Sequence, residues 1–257
     1  MSNTKESLIE QAGGVLEKAY DDIVHPSAHS VGNTLSLLPR TVGVWLGKWE
    51  KWIINGEESI KLTAQAVQNK ISEIPVEKLS EPEPYVMVPA IQQLSYCYDS
   101  KELREMYANL LVSSMNIDTK YNVHPSFVEI IKQLTPDEAK LLKKLSTNDN
   151  HPLIDVVLTR KDKGYMTLVH NFTDVGDDVC DCQTEIFSYL DNLERLKLIT
   201  IPQGIYIKND EVYKPLQEHL FIKEILNRVV VEGSKIEVKK GKLELTAFGK
   251  NFIKVCL

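Results

Sequence analysis

Apolar residues recur at three-to-four spacing through the first half of the chain, the pattern of helices with one buried face. Leu8, Ala12, Val15, Leu16, Ala19 and Ile23 form one such stripe, which Pro26 ends. Val31, Leu35 and Leu38 form a second, up to Pro39, and Val42, Trp45, Leu46, Trp49 and Ile53 a third, which Asn55-Gly56 stops. Ile60, Ala64, Val67 and Ile71 mark a fourth helix. Prolines 75, 82, 84 and 89 then crowd one stretch, and proline fixes φ and removes a donor, so residues 75–89 read as an extended strap. Helices resume over 88–98 and 99–115, the latter capped by Asp99 or Ser100, and a short one follows over 126–133.

The pattern changes after Leu134. Thr135-Pro136-Asp137-Glu138 reads as a helix start: a hydroxyl cap, proline at the first position, and a glutamate to complete a capping box. HPLIDVVLTR and GYMTLVHNF read as strands, and TEIFSYLDNLERLKLITI as a helix, a tight exit and a strand. YKPLQEHLFIKEILNRVVV is an inserted helix. Ile236/Val238 and Leu243/Leu245 alternate on either side of Lys239-Lys240-Gly241-Lys242, which reads as a β-hairpin tip, and Thr246 opens a last helix. Helix, helix, strand, hairpin is the order of a winged helix. The expected fold is therefore mainly α with a smaller α+β part: a helical domain over 1–134 and a winged-helix-like domain over 135–257.

Composition narrows the function classes. The chain has 257 residues, 43% hydrophobic and 26% charged, ordinary for a globular protein. Thirty Lys+Arg against thirty-six Asp+Glu leave a net charge of −6, which argues against a generally nucleic-acid-binding chain. Four cysteines do not make a disulfide framework. No signal-peptide pattern opens the chain and no apolar run reaches the length of a membrane span, so the expected location is the cytoplasm, including the inner face of the membrane. No phosphate-binding loop, dinucleotide fingerprint or nucleophile elbow occurs, and no cofactor is expected.

Three places hold candidate chemistry. Trp45, Trp49 and Trp52 lie within eight residues, beside the Gly43/Gly47 small-residue ridge and interleaved with Lys48 and Lys51. Tryptophan favours the boundary of water and hydrocarbon, and lysine binds anionic headgroups. The ordinary reading of this stretch is a buried aromatic patch; the functional one is self-association or a membrane surface. The second place is DVGDDVCDC, where Asp177, Asp178, Cys180 and Cys182 could hold a cation, or form a plain acidic loop entering a helix. Third, the 239–242 tip is basic, but the candidate recognition helix carries Glu185, Asp191 and Glu194 against Arg195 and Lys197, which does not favour phosphate contact.

LVSSMNIDTKYNVHPSFVEIIKQLTPDEAKLL is similar to the central signature of the abortive-infection alpha family, bacterial proteins linked to phage resistance. AYDDIVHPSAHSVGNTLSLLPRTV, ISEIPVEKLSEPEPYVMVPAIQQLSY, LDNLERLKLI and LTAFGKNFIKVC resemble its flanking elements. The signature positions would be His124, Pro125, Ser126 and Phe127 and Thr135, Pro136, Asp137 and Glu138; both read as helix starts that fix the junction of the two halves. The resemblance implies a role in anti-phage defence and carries no catalytic residue set. The expectation is a non-enzymatic effector or sensor, acting through a protein partner or self-association and a membrane contact, with a phage component as trigger. Two rivals stand beside it: a metal-dependent hydrolase or nuclease using residues 174–182, and a winged-helix DNA-binding regulator.

Overall fold

The computed structural model describes residues 62–257, apart from 64–65, 68, 95–96, 98, 161–163 and 229–233. The described chain is mixed α+β and forms two compact units. One holds the described residues up to Pro136 together with Lys254–Leu257, the other Asp137–Ile253.

The first unit is helical. The stripe expected over 60–71 buries Val67 and Ile71. Helix α1 spans Pro84–Leu94, α2 Lys101–Met115 and α3 Ser126–Lys132. Ser100 caps α2, its hydroxyl accepting the Leu103 N–H at 3.2 Å. α2 buries Met106, Tyr107 and Leu110 almost completely, and the Tyr107 hydroxyl donates to Val128 O of α3 at 3.2 Å. The last turn of the chain joins this unit: Asn109 Nδ2 donates to Cys256 O at 3.0 Å and Ser113 Oγ to Val255 O at 3.1 Å, satisfying carbonyls that a helix end leaves open.

The strap is shorter than expected. Its first residues, Val76–Lys78, form a 3-10 turn, and only 79–83 are extended: Leu79 bridges Asn116, Ser80 N donates to Met115 O at 2.8 Å and Ile117 N to Lys78 O at 2.9 Å. Pro84 instead opens α1, where its missing N–H costs nothing, and Pro89 sits inside the helix at the expense of one backbone bond.

The second unit is built on one antiparallel sheet. Helix α4 (Pro136–Leu145) leads into the two expected strands, β1 (Asn150–Arg160) and β2 (Gly164–Phe172), which pair antiparallel. Then come α5 (Ile186–Arg195), β3 (Ile199–Thr200), α6 (Lys214–Glu218), α7 (Leu220–Arg228), β4 (Ser234–Leu245) and α8 (Ala247–Cys256). The strand order is β2-β1-β4-β3. Ile154, Val156, Val169, Phe172, Tyr213, Leu216 and Ile222 make its core.

The expected hairpin at 239–242 is not there. β4 runs unbroken through it, pairing with β1 from Ser234 to Glu244, and Gly241 stands opposite Leu153. A Cβ at Gly241 would come within 2.5 Å of Leu153 Cδ1, and its carbonyl accepts the Tyr213 hydroxyl at 2.8 Å. This glycine permits close approach instead of a turn. The wing on which the winged-helix reading rested is therefore an unbroken inner strand.

The tight exit from α5 is a Schellman motif. Lys197 takes φ +60, while Leu198 N donates to Leu193 O at 3.0 Å and Lys197 N to Glu194 O at 2.9 Å. Leu198 then meets α8. A Cβ at Gly249 would lie 1.9 Å from Leu198 O, so only glycine lets that helix lie against this backbone.

Candidate partner-binding groove

The sequence of β1 carries a charge where its alternation slips: Ile154-Asp155-Val156-Val157. Ile154 pairs Phe172, but Val156 pairs Val169 and Val157 pairs Thr167, with the register shifting between. An irregularity of this kind bends a strand and re-aims its side chains. Asp155 occupies the gap. Its Oδ1 accepts the Asn171 N–H at 2.8 Å and lies 3.0 Å from His170 Nδ1. Asn171 is held at φ +55, a left-handed conformation that asparagine tolerates better than most residues and that ends the regular run of β2.

This distortion opens a groove of about 320 Å³ beside the strand. One wall is the run Leu168 to Asn171 at the end of β2; the other is Phe187 and Asp191 of α5 with Phe221 of α7. Phe221 stacks on Phe172 with centroids 5.6 Å apart, and Phe187 tilts against Phe221 at 6.3 Å. His219, where the chain kinks between α6 and α7, packs on Phe172 at 5.0 Å, and its Nε2 reaches Asp177 Oδ2 at 3.0 Å. The groove is thus an aromatic floor under a polar rim. Asp155 is already engaged by His170 and Asn171, whereas Asp191 is exposed and no cation pairs with it among the described residues. Such a surface suits an apolar side chain next to a positive charge.

The acidic-cysteine loop does not line this groove. Among the described residues no three His, Cys, Asp or Glu side chains converge to hold a metal ion, and Asp177, Asp178, Cys180 and Cys182 are drawn to separate partners. Asp177 meets His219, Asp178 pairs Lys144, Cys180 is buried, and Cys182 is exposed with its Sγ 3.4 Å from Thr184 Oγ1. The anchor is Asp137 of α4, whose carboxylate accepts Cys182 N at 2.9 Å, Lys140 Nζ at 3.0 Å and the Tyr189 hydroxyl at 3.3 Å. Burial alone would raise its pKa. The N–H groups of Asp181 and Cys182 and the Lys140 ammonium outweigh that and hold the carboxyl below the ordinary range. Burial first, and then Asp137, push the Tyr189 phenol up to about 12. Glu138, also buried, accepts Asn192 Nδ2 of α5 at 2.7 Å. Asp137 and Glu138 therefore clamp α4, α5 and the loop together and fix the helix that carries Phe187 and Asp191.

The other expected positions are placed as follows. His124 Nδ1 accepts the Ser126 N–H at 3.2 Å and lies 2.6 Å from Ser126 Oγ. Pro125 precedes the first turn of α3 and Phe127 is fully buried, so this segment is a helix start. Pro136 takes the first position of α4, after Thr135. Gly43, Trp45, Gly47, Lys48, Trp49, Lys51 and Trp52 lie outside the described residues. The lysines of β4 are engaged: Lys235 by Glu237 at 3.1 Å, Lys240 by Asp210 at 2.7 Å and Lys242 by Glu244 at 2.6 Å, with Lys239 4.4 Å over the Tyr165 ring. Charges so paired are poorly placed to take up phosphates.

His170, Asn171, Phe187, Asp191 and Phe221 come from three distant stretches of chain, which local periodicity cannot join. The one signal in the sequence was Asp155 inside an apolar run.

The family model described as abortive infection alpha matches residues 55–256. Among solved structures, the chain is similar to the uncharacterized protein from the hydrocarbon-degrading marine bacterium Alcanivorax borkumensis SK2, at 15% identity, over 50% of this chain and 90% of that one, with a TM-score of 0.36. No curated protein matches.

Proposed function

The chain belongs to the abortive infection alpha family, and we propose that it serves anti-phage defence as a non-enzymatic effector or sensor whose groove recognises a protein segment. The observation that carries this reading is the groove's make-up: Phe187 and Phe221 form an apolar floor, and the carboxylate of Asp191 stands beside it unpaired among the described residues. Charge complementarity selects an occupant with an aliphatic or aromatic side chain next to Lys or Arg. A phage component bearing such a segment is the trigger on this reading. The effect is delivered through residues 43–53, whose Trp, Lys and Gly clustering suits self-association or an anionic membrane surface.

The test is a phage challenge of bacteria expressing the full chain, its Asp191→Lys variant or its Phe187→Ala variant, with circular dichroism and melting used to confirm that each variant folds. Asp191→Lys lies on the surface and is expected to fold normally while protection falls at least tenfold. Full protection by folded Asp191→Lys and Phe187→Ala proteins would sink the groove as the recognition site.

A further inference from the structure

Strand β2 is the end strand of its sheet, with β1 on one side and no described strand on the other. Edge strands carry a row of backbone N–H and C=O groups that no neighbour uses, and proteins commonly blunt them with charge, proline or a covering element. From Gly164 to Val169 this strand has neither charge nor proline, and Gly164, Tyr165, Met166 and Thr167 are all exposed. The same strand forms one wall of the groove, and α5 forms the other. A cleft between an edge strand and a helix is one that an extended chain can enter, using its backbone on the strand and its side chains toward the helix.

Resting on the reading of the groove as a protein-recognition site, we infer that the partner segment binds in extended form as a fifth strand on the outer edge of β2, with an apolar side chain over Phe187 and Phe221 and a Lys or Arg two residues away on Asp191. The spacing follows from geometry. Phe187 and Asp191 are four residues apart on one helix face, about 6 Å along its axis at 1.5 Å per residue. Alternate side chains of a strand point the same way and stand about 6.8 Å apart at 3.4 Å per residue. A strand on β2 that also runs along this helix would meet both positions with residues i and i+2. A helical ligand would present its anchors at i and i+3 or i+4 instead. The left-handed Asn171, tied down by Asp155, marks where the rail ends, so about five residues of the partner, opposite Thr167 to Asn171, make the contact.

The test selects binders to the immobilised full chain from a random dodecapeptide library and synthesises the enriched peptides. The expected peptides carry an apolar residue and a Lys or Arg two positions apart. N-methylation of the alternate backbone amides facing β2 weakens their binding at least tenfold, while methylation of the intervening amides is tolerated. They slow amide exchange in residues 165–171. Asp191→Lys weakens them at least tenfold, and replacing the peptide's Lys or Arg by Glu restores binding to that variant. Two failures are distinguishable. No enrichment over a blank surface, or peptides indifferent to both Asp191→Lys and Phe187→Ala, overturns the groove itself. Peptides that depend on Asp191 and Phe187 but tolerate every N-methylation, or space their anchors by three or four, leave the groove standing and overturn strand addition.

Discussion

Replacing Gly249 by alanine sets two effects of opposite sign against each other. Helix propensity alone favours alanine over glycine inside α8 by about 1 kcal/mol. Packing opposes it. The added Cβ would stand 1.9 Å from Leu198 O, so reaching even 3.0 Å requires a displacement of 3.0 − 1.9 ≈ 1.1 Å. The obstacle is a backbone carbonyl, which no rotamer change can move aside. That carbonyl also accepts Thr246 N at 3.1 Å, and Thr246 Oγ1 accepts Gly249 N at 2.8 Å to cap the helix. Overpacking costs about 1–3 kcal/mol and a weakened hydrogen bond about 1 kcal/mol. After the propensity gain the net loss is about 1–3 kcal/mol, or about 2–12 °C in melting temperature for a chain of this size. Urea and thermal unfolding of wild type and Gly249→Ala read the sign directly. A variant as stable as wild type, or more so, would refute the contact between α8 and the Leu198 backbone.

Lys197→Gly relieves a left-handed lysine on an exposed turn and is expected to stabilise the protein by about 0.5–1 kcal/mol, measured as a higher urea midpoint. Asp137 ionises more readily folded than unfolded, where its pKa is about 3.9. Its contribution is therefore complete above that value and is lost as pH falls through the lower folded pKa. The stability gap between wild type and Asp137→Asn should be widest from about pH 5 upward and close below about pH 4; a gap independent of pH contradicts the ionised clamp. Iodoacetamide should label Cys182 alone in the folded chain, because burial raises the Cys97 and Cys180 thiols to about 11 and Cys256 well above its ordinary value; intact mass after native and unfolded labelling checks this. Sedimentation with anionic vesicles should bring down wild type but not the variant with Trp45, Trp49 and Trp52 all changed to alanine, and a wild type that ignores both neutral and anionic lipid ends the membrane version.

Local signals in the sequence located most elements. Ser100, the His124-Pro125 start, Pro136, the two alternating runs of β1 and β2, and the α5 stripe with its sharp exit are each decided by neighbours within a few residues. The errors arose where a distant contact decides. Lys239-Lys240-Gly241-Lys242 has the composition of a turn, but Gly241 is small because Leu153 crowds it and the lysines are matched by partners such as Asp210. Four prolines suggested an extended strap, yet Pro84 fits a helix start and Pro89 is tolerated within the helix. Both readings of the acidic-thiol loop stayed open in the sequence because Lys140 and Lys144, which pair with Asp181 and Asp178, lie over 30 residues earlier. The groove depends on a register shift between β1 and β2, and only the misplaced charge of Asp155 hinted at it.

β4, the last of the described strands, takes an inner place in the sheet, joining β1 to β3. Until residue 245 has left the ribosome, the early hairpin and the short β3 cannot be bridged, so the second unit gains its shape in one late step and not piece by piece. Contacts between residues so far apart in the chain slow that step. A nascent or prematurely terminated copy would lack the finished sheet.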